Sequence, residues 1–175
     1  HVYREELLNL RTDYTDNVSI PEQHIPLHNV HRFSKNNYPS TIYKKGALVM
    51  AMIHEMVGDE IFFSKMNEYL TTYENGNVTT EDLKNTFGIK VPDKFWQDWV
   101  YGRGYPLLDI SSYQNQDTVV VIVEQRDNEF GVYDFEFNYA LKSVKGHEHV
   151  KHRVRSKKDT IKVTDVSIPF WYYKQ

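Results

Sequence analysis

The pattern of hydrophobic and polar residues changes about two-thirds of the way along the chain. Up to residue 105, apolar residues recur at the spacing of amphipathic helices. From Pro106 onward they alternate with polar residues, which is the period of a β-strand. Helices followed by strands predict an α+β fold by segments, with a helical subdomain at residues 1–105 and an antiparallel β-sandwich domain at residues 106–175.

The helical half begins with a predicted helix at Val2–Leu10, which has one apolar face. A long polar connection follows, interrupted by Pro21, Pro26 and Pro39. The next helix, Gly46–Val57, is apolar on most sides and is therefore predicted to be buried. Further helices are expected to begin near Asp59, Thr79 and Pro92.

The strands predicted after Pro106 are short and separated by turns. Thr118–Glu124 is a continuous β-branched run, typical of a well-buried strand. Tyr133–Leu141 alternates aromatic and polar residues, which predicts a half-buried antiparallel strand. The other predicted strands are Val150–Arg155, Thr160–Thr164 and Val166–Tyr172.

Composition narrows the class of protein. The 175 residues are 40% hydrophobic and 26% charged, as in an ordinary folded domain. A net charge of -3 gives no reason to expect a nucleic-acid partner. The absence of cysteine excludes disulfides and thiolate metal sites, and no apolar run is long enough for a transmembrane segment. Composition does not determine the cellular compartment.

Because the chain begins directly in a predicted helix, without an initiator methionine, we expect it to be a fragment of a longer polypeptide.

Histidines are the first candidates for metal chemistry. His54–Glu55 begins like the H-E-x-x-H motif, but Gly58 stands where the second histidine is needed, so no zinc site is predicted there. His24, His28 and His31 have the spacing of one helix face, but Pro26 lies between them and makes a helix there unfavourable. In a strand, His147 and His149 would lie on one side and His152 on the other, which divides the possible ligands.

A basic run covers Lys151–Lys158. We interpret it as a solvated strand edge, where lysine also discourages aggregation. A patch for heparin-like or anionic-lipid ligands is a weaker alternative, because the chain as a whole is acidic.

Tyr43 stands just before the apolar helix, at a predicted junction between loop and helix. By chemistry alone it is either a structural aromatic residue or a phenol that donates a hydrogen bond to a developing oxyanion. The helix that follows is expected to hold the backbone of Tyr43 rigidly, through Leu48, Met52 and Met56 in the core.

The order and spacing of short motifs over Tyr43–Pro106 resemble those of the gluzincin zinc aminopeptidases, the aminopeptidase N type. That family carries Tyr-x-Lys-Gly-Ala before an apolar helix, then a Gly-Asp/Glu-Glu step and a helix that ends in a tyrosine-rich turn. A Thr-Thr-Glu-Asp helix start and a tryptophan-rich segment that closes with Gly-x-Pro follow. The matching stretches are Tyr43–Leu48, Val57–Phe62, Met66–Tyr73, Thr79–Leu83 and Phe95–Pro106.

The resemblance implies that this chain is the C-terminal part of a catalytic domain followed by a β-sandwich. The family's zinc motif and its substrate-binding strip are expected upstream of His1, so zinc belongs to the full-length parent and no cofactor is expected in this chain. Of the family's catalytic residues, only the transition-state tyrosine is carried over, onto Tyr43. The implied partners are the upstream part of the same polypeptide and peptide substrates of the parent, which would lose their N-terminal residues.

Two other functions stay open. The parent could be a family member without a metal site that serves as a scaffold. The chain could also be an independent binding module that recognises its partner through the β-sandwich. The preferred N-terminal residue of a substrate and the oligomeric state are not determined by the sequence.

Overall fold

The computed structural model describes residues 2–17, 24–28, 40–127, 129–143, 146–164 and 171–173. The chain divides into two compact units, His1–Gly104 and Tyr105–Gln175. The first unit contains helices and the second contains antiparallel strands, so the predicted α+β fold class is confirmed.

Helix α1 covers Val2–Asn17 and is longer than the predicted Val2–Leu10. Its second half, rich in Asp, Asn and Thr, has weak helix propensity, which is why the sequence predicted a connection there. Tyr14 in that half is nonetheless buried. Packing of this aromatic side chain therefore overrides the local propensity. Most of the proline-rich connection, including His31, lies outside the described residues.

The remaining helical elements agree with the predicted starts and stops. Gly58 ends α2 with a positive φ of 79°, and Thr79 caps α4 through a reciprocal pair of hydrogen bonds with Asp82. A 3-10 turn, Gly88–Lys90, follows α4, and a π-helical turn continues α5. The bounds are α2 Gly46–Val57, α3 Asp59–Thr72, α4 Thr80–Phe87, α5 Asp93–Trp96 and the π-helical turn Gln97–Tyr101.

The core of the first unit forms where α2 meets the later helices. Val49 and Ile53 are the buried residues of α2, whereas Met56 is 43% exposed. The expectation that Met56 anchors this helix is therefore wrong: the buried face is rotated toward the side that the sequence treated as secondary. The other buried members of this core are Phe87, Val91, Phe95, Trp96 and Val100.

The second unit contains two antiparallel sheets, of order β1-β2-β5 and β4-β3-β6. Strand β1 was not predicted, because its sequence LDISSYQN is mostly polar, and pairing with the apolar β2 places it in the sheet. Of the last predicted strand, only the final part is described. The bounds are β1 Leu108–Asn115, β2 Thr118–Gln125, β3 Phe135–Ser143, β4 Gly146–Val154, β5 Lys158–Val163 and β6 Trp171–Tyr173.

Both sheets contribute to one hydrophobic cluster. Val119, Val121 and Val123 come from β2 of the first sheet, and Phe137 and Tyr139 come from β3 of the second. A shared core is what two sheets of a sandwich require, and closure into a β-sandwich remains a prediction. No helix among the described residues is long and apolar enough to cross a membrane.

Candidate functional site

Tyr43 lies in a π-helical turn, Ser40–Lys45, that runs directly into α2. The predicted junction is thus helical rather than an open loop. The Tyr43 side chain is 71% exposed, and none of the described residues forms a hydrogen bond with its hydroxyl. The catalytic role of Tyr43 remains a prediction, and it requires a phenol that is exposed in this way. π-Helical turns of this kind occur frequently at functional sites.

Lys45, two residues further along the same turn, is 3% exposed. Its Nζ donates a hydrogen bond of 3.2 Å to the carbonyl oxygen of Gly102, which follows the π-helical turn Gln97–Tyr101. Burial lowers the pKa of Lys45 to about 8. In the sequence, this lysine is part of the Tyr-x-Lys-Gly-Ala motif, but no role is predicted for it, because a lysine at a helix start is normally exposed.

Gly102 is required by the crowding at this end of the helix. A Cβ atom at this position would lie 2.5 Å from the carbonyl oxygen of Asp98 and 2.8 Å from that of Gln97. Real side chains do not tolerate such distances, so only glycine lets the chain pass here without a shift of the backbone.

The segment His24–His28 meets the same end of the helix. The backbone N–H of His28 donates to the Val100 carbonyl at 3.1 Å, and Arg103 Nε donates to the His24 carbonyl at 2.8 Å. The His28 ring also packs against Tyr101, with centroids 5.0 Å apart. The C-terminal end of Gln97–Tyr101 is thus a junction that holds both this segment and the turn of Tyr43.

His54 and Glu55 lack the arrangement of an H-E-x-x-H metal site. His54 Nε2 lies 2.7 Å from Asp59 Oδ1, and its ring stacks on Phe62 at 4.5 Å. Gly58, the position that a second histidine would need, is already beyond the end of α2 and has a positive φ. The geometry of one helical turn that H-E-x-x-H uses is therefore missing as well as the ligand.

The other histidine clusters are only partly described. His24 is buried and His28 is half-buried, on a non-helical segment, so they do not share a helix face. In β4, His152 lies on the same side as the buried Val154, whereas His149 is exposed on the opposite side. This is the split that the strand period predicted. The side chains of His31 and His147 lie outside the described residues.

Within the described part of the chain, no group of three or more His, Cys, Asp or Glu residues could hold a metal ion. The donor residues in this described part do not fit a catalytic zinc, which takes three protein ligands around an open position.

The basic residues of the run pair with carboxylates on neighbouring strands and turns. It covers the end of β4, the connection after it and the start of β5, and both strands are edge strands of their sheets, as the interpretation of a solvated edge expects. Each basic side chain has an acidic partner, so the run is not a patch of unpaired positive charge. The pairs are Lys151–Glu136, Arg153–Asp134, Arg155–Asp134, Lys157–Asp127 and Lys158–Glu124.

Residues 5–99, more than half of the chain, match the peptidase family M1 domain. The chain belongs to peptidase family M1. Its resemblance to zinc aminopeptidases of the aminopeptidase N type is thereby confirmed. Family M1 is zinc-dependent in general, and the matched range includes Tyr43 and α2.

Several relatives of this M1 chain are aminopeptidases. It is 29% identical to the thyrotropin-releasing hormone-degrading ectoenzyme of Homo sapiens, over 47% of this chain and 8% of that protein. It is 28% identical to aminopeptidase N of Escherichia coli, over 47% of this chain and 10% of that protein. A probable aminopeptidase 2 of Sulfurisphaera tokodaii is 35% identical, over 39% of this chain and 9% of that protein.

Among solved structures, the M1 chain is similar to Legionella pneumophila aminopeptidase A in complex with aspartic acid, with a TM-score of 0.59. The sequence identity is 16%, and the match covers 77% of this chain and 16% of that chain. At this identity the similarity concerns the fold. The M1 chain spans about a tenth of the length of the curated relatives that it matches.

Proposed function

We propose that this chain is the part of a zinc metallo-aminopeptidase that supplies the transition-state tyrosine, Tyr43. The parent enzyme would hydrolyse N-terminal residues from peptides. Its zinc ligands and general base would lie in the upstream part of the same polypeptide, because the described residues of this chain offer no suitable donor set. The 175-residue chain alone would be inactive.

The exposed hydroxyl of Tyr43 is the observation that carries the proposal. When water attacks a scissile carbonyl, the carbonyl oxygen gains negative charge, and a donor aimed at that oxygen stabilises the transition state more than the substrate. Tyr43 presents an unshielded phenol on a turn that continues into the buried helix α2. A tyrosine that anchors the core would instead bury its ring and satisfy its hydroxyl within the fold.

The test is Tyr43→Phe in the full-length parent, which keeps the ring and removes only the hydroxyl. Turnover of an aminoacyl substrate should fall about 10²–10³-fold, the usual effect of losing one oxyanion donor. Melting temperature and zinc content should not change. Tyr113, which is 56% exposed on β1, provides the matched control, since Tyr113→Phe removes another exposed hydroxyl outside the matched family domain.

Near-normal turnover of Tyr43→Phe would contradict the catalytic assignment. If the wild-type parent also held no zinc and cleaved no peptide, a non-catalytic scaffold would be the better description. Purification of the 175-residue chain and assay with the same substrate separately tests whether the fragment is inactive, since any zinc-dependent turnover by it would contradict that part of the proposal.

A further inference from the structure

Two residues of one helical turn face opposite ways. Tyr43 is 71% exposed and Lys45 is 3% exposed, as expected for positions two apart, which do not share a helix face. Because both residues belong to one short helical turn, fixing the inward residue restrains the rotation of the turn about its axis. That rotation in turn decides where the outward phenol points.

We infer that Lys45 is a positioning residue for Tyr43: its buried Nζ, bonded to the carbonyl oxygen of Gly102, locks the turn Ser40–Lys45 against the end of the helical segment Gln97–Tyr101. The inference rests on the proposed function, since it concerns how the Tyr43 hydroxyl is aimed. Lys45 itself does not touch the reacting atoms.

The acceptor side of this bond is itself held firmly. Val100 and Trp96 are buried in the core of the first unit, and Gly102 follows them in a place where no side chain fits. The segment His24–His28 is bonded to the same helix end. A carbonyl held on several sides offers a fixed point, so its hydrogen bond to Lys45 transmits that fixed position to the turn.

Burial of a charged ammonium group at this position has an unfavourable desolvation free energy. Desolvation lowers the pKa of Lys45 to about 8, and no carboxylate of a described residue offsets that effect. Well-packed apolar side chains often give equal or greater stability than buried charges do. Stability alone would therefore favour a residue such as methionine, whereas the long stem and directed hydrogen bond of lysine join residues 57 positions apart in the chain.

Placement matters because an oxyanion donor works only at the position that the oxyanion will occupy. A misplacement of about 1 Å can cost about 10²-fold in rate. A small rotation of the turn would leave Tyr43 exposed but misaimed. Such a defect lowers turnover while substrate binding and folding remain intact.

The experiment uses the full-length parent with Lys45→Met, Tyr43→Phe and the double variant. Lys45→Met should lower kcat about 10- to 100-fold with KM changed little, and the melting temperature should stay equal or rise. In the Tyr43→Phe background the same change should have no further effect on kcat, because the hydroxyl that Lys45 positions is already gone.

Thr86→Val is the matched structural control. Thr86 is also a buried polar residue whose side chain donates to a backbone carbonyl, that of Asp82 at 2.8 Å, but in α4. This variant should lower the melting temperature and leave kcat unchanged. If Lys45→Met does not fold, Lys45→Arg, which keeps a cationic donor but alters its reach, undergoes the same comparison in both backgrounds.

Two results would overturn the inference: full kcat in the folded Lys45 variant, or an equal loss of kcat with and without the Tyr43 hydroxyl. Failure of the proposed function has a different signature, since Tyr43→Phe alone would then keep full turnover. That result would contradict the positioning role of Lys45 as well, because there would be no catalytic hydroxyl to position.

Discussion

Gln125 and Tyr133 are joined by two reciprocal hydrogen bonds. Gln125 Nε2 donates to the Tyr133 carbonyl at 2.9 Å, and the Tyr133 backbone N–H donates to Gln125 Oε1 at 2.9 Å. Gln125 ends β2 in one sheet, and Tyr133 precedes β3 in the other. Gln125 Nε2 also donates to the Ser156 carbonyl at 3.2 Å. A single buried amide thus links the segments that lead into both sheets.

Replacement of Gln125 by leucine should destabilise the second unit by about 2–4 kcal/mol. The change leaves the buried N–H and carbonyl of Tyr133 without their partner, and each unsatisfied buried group costs about 1–3 kcal/mol. Denaturant unfolding of the purified chain measures the effect.

The control for this prediction is Gln114→Leu. Gln114 Nε2, near the end of β1, also donates to a backbone carbonyl, that of Gln116 at 2.9 Å, but this hydrogen bond is exposed. Water can replace that hydrogen bond, so the free energy of unfolding should change by less than about 0.5 kcal/mol. Equal effects of the two substitutions would show that burial of the Gln125 amide does not decide its contribution.

The Gly102 junction predicts opposite effects for two glycine-to-alanine substitutions. Gly102→Ala places a methyl group against the backbone carbonyls of Gln97 and Asp98, and should destabilise the chain by about 1–3 kcal/mol. Gly46→Ala meets only Leu27 Cδ2 at 3.9 Å, an ordinary contact, and gains the higher helix propensity of alanine. Thermal unfolding of both variants should therefore give a lower melting temperature for the first and an equal or higher one for the second.

The fold class was predictable because each half of the chain keeps a single hydrophobic period. The ends of helices were predictable where chemistry fixes them, as at Gly58 and Thr79. The second half of α1 and strand β1 were not, because packing of Tyr14 and pairing with β2 override polar local sequences. The buried face of α2 was misassigned since its residues are apolar nearly all round, and periodicity cannot orient such a helix.

The candidate site was predictable only in part. The motif around Tyr43 directs attention to its phenol, but exposure is a property of the folded turn. Lys45 could not be recognised as buried, because its partner Gly102 lies 57 residues away and contributes only a carbonyl group. Hydrogen bonds to backbone carbonyls leave no residue-type signal in the sequence.

Lys45 should make stability depend on pH above about 8. Its pKa is about 8 in the folded chain against 10.5 when exposed, because burial disfavours the ammonium. Below pH 8 both states are charged and the folded state bears the full cost of desolvation. Between pH 8 and 10.5 the unfolded state binds more protons, so the free energy of unfolding should rise with pH by up to about 3 kcal/mol.

Lys45→Met removes the group that titrates, so the stability difference between wild type and this variant should shift in favour of the wild type over that pH range. Thr86→Val, which removes a buried polar group that does not titrate, is the matched control and should show no comparable shift. Denaturant midpoints of the wild type and both variants, measured from pH 7 to 10.5, test this prediction. A constant difference for Lys45→Met would mean that the lysine is not desolvated.

The final prediction concerns zinc. After dialysis, the purified 175-residue chain should hold far less than one equivalent of zinc, measured by elemental analysis. Three features of the described residues argue for this. His54 Nε2 lies 2.7 Å from Asp59 Oδ1. Gly58 offers no ligand and lies past the end of α2. Among the described residues, no group of three or more His, Cys, Asp or Glu could hold a metal ion. His54→Ala should leave the residual zinc unchanged, because a lone imidazole binds the ion too weakly to survive dialysis. About one tightly held zinc per chain that is lost in His54→Ala would instead place a metal site in this part of the protein, and would contradict the assignment of zinc binding to the upstream part of the parent.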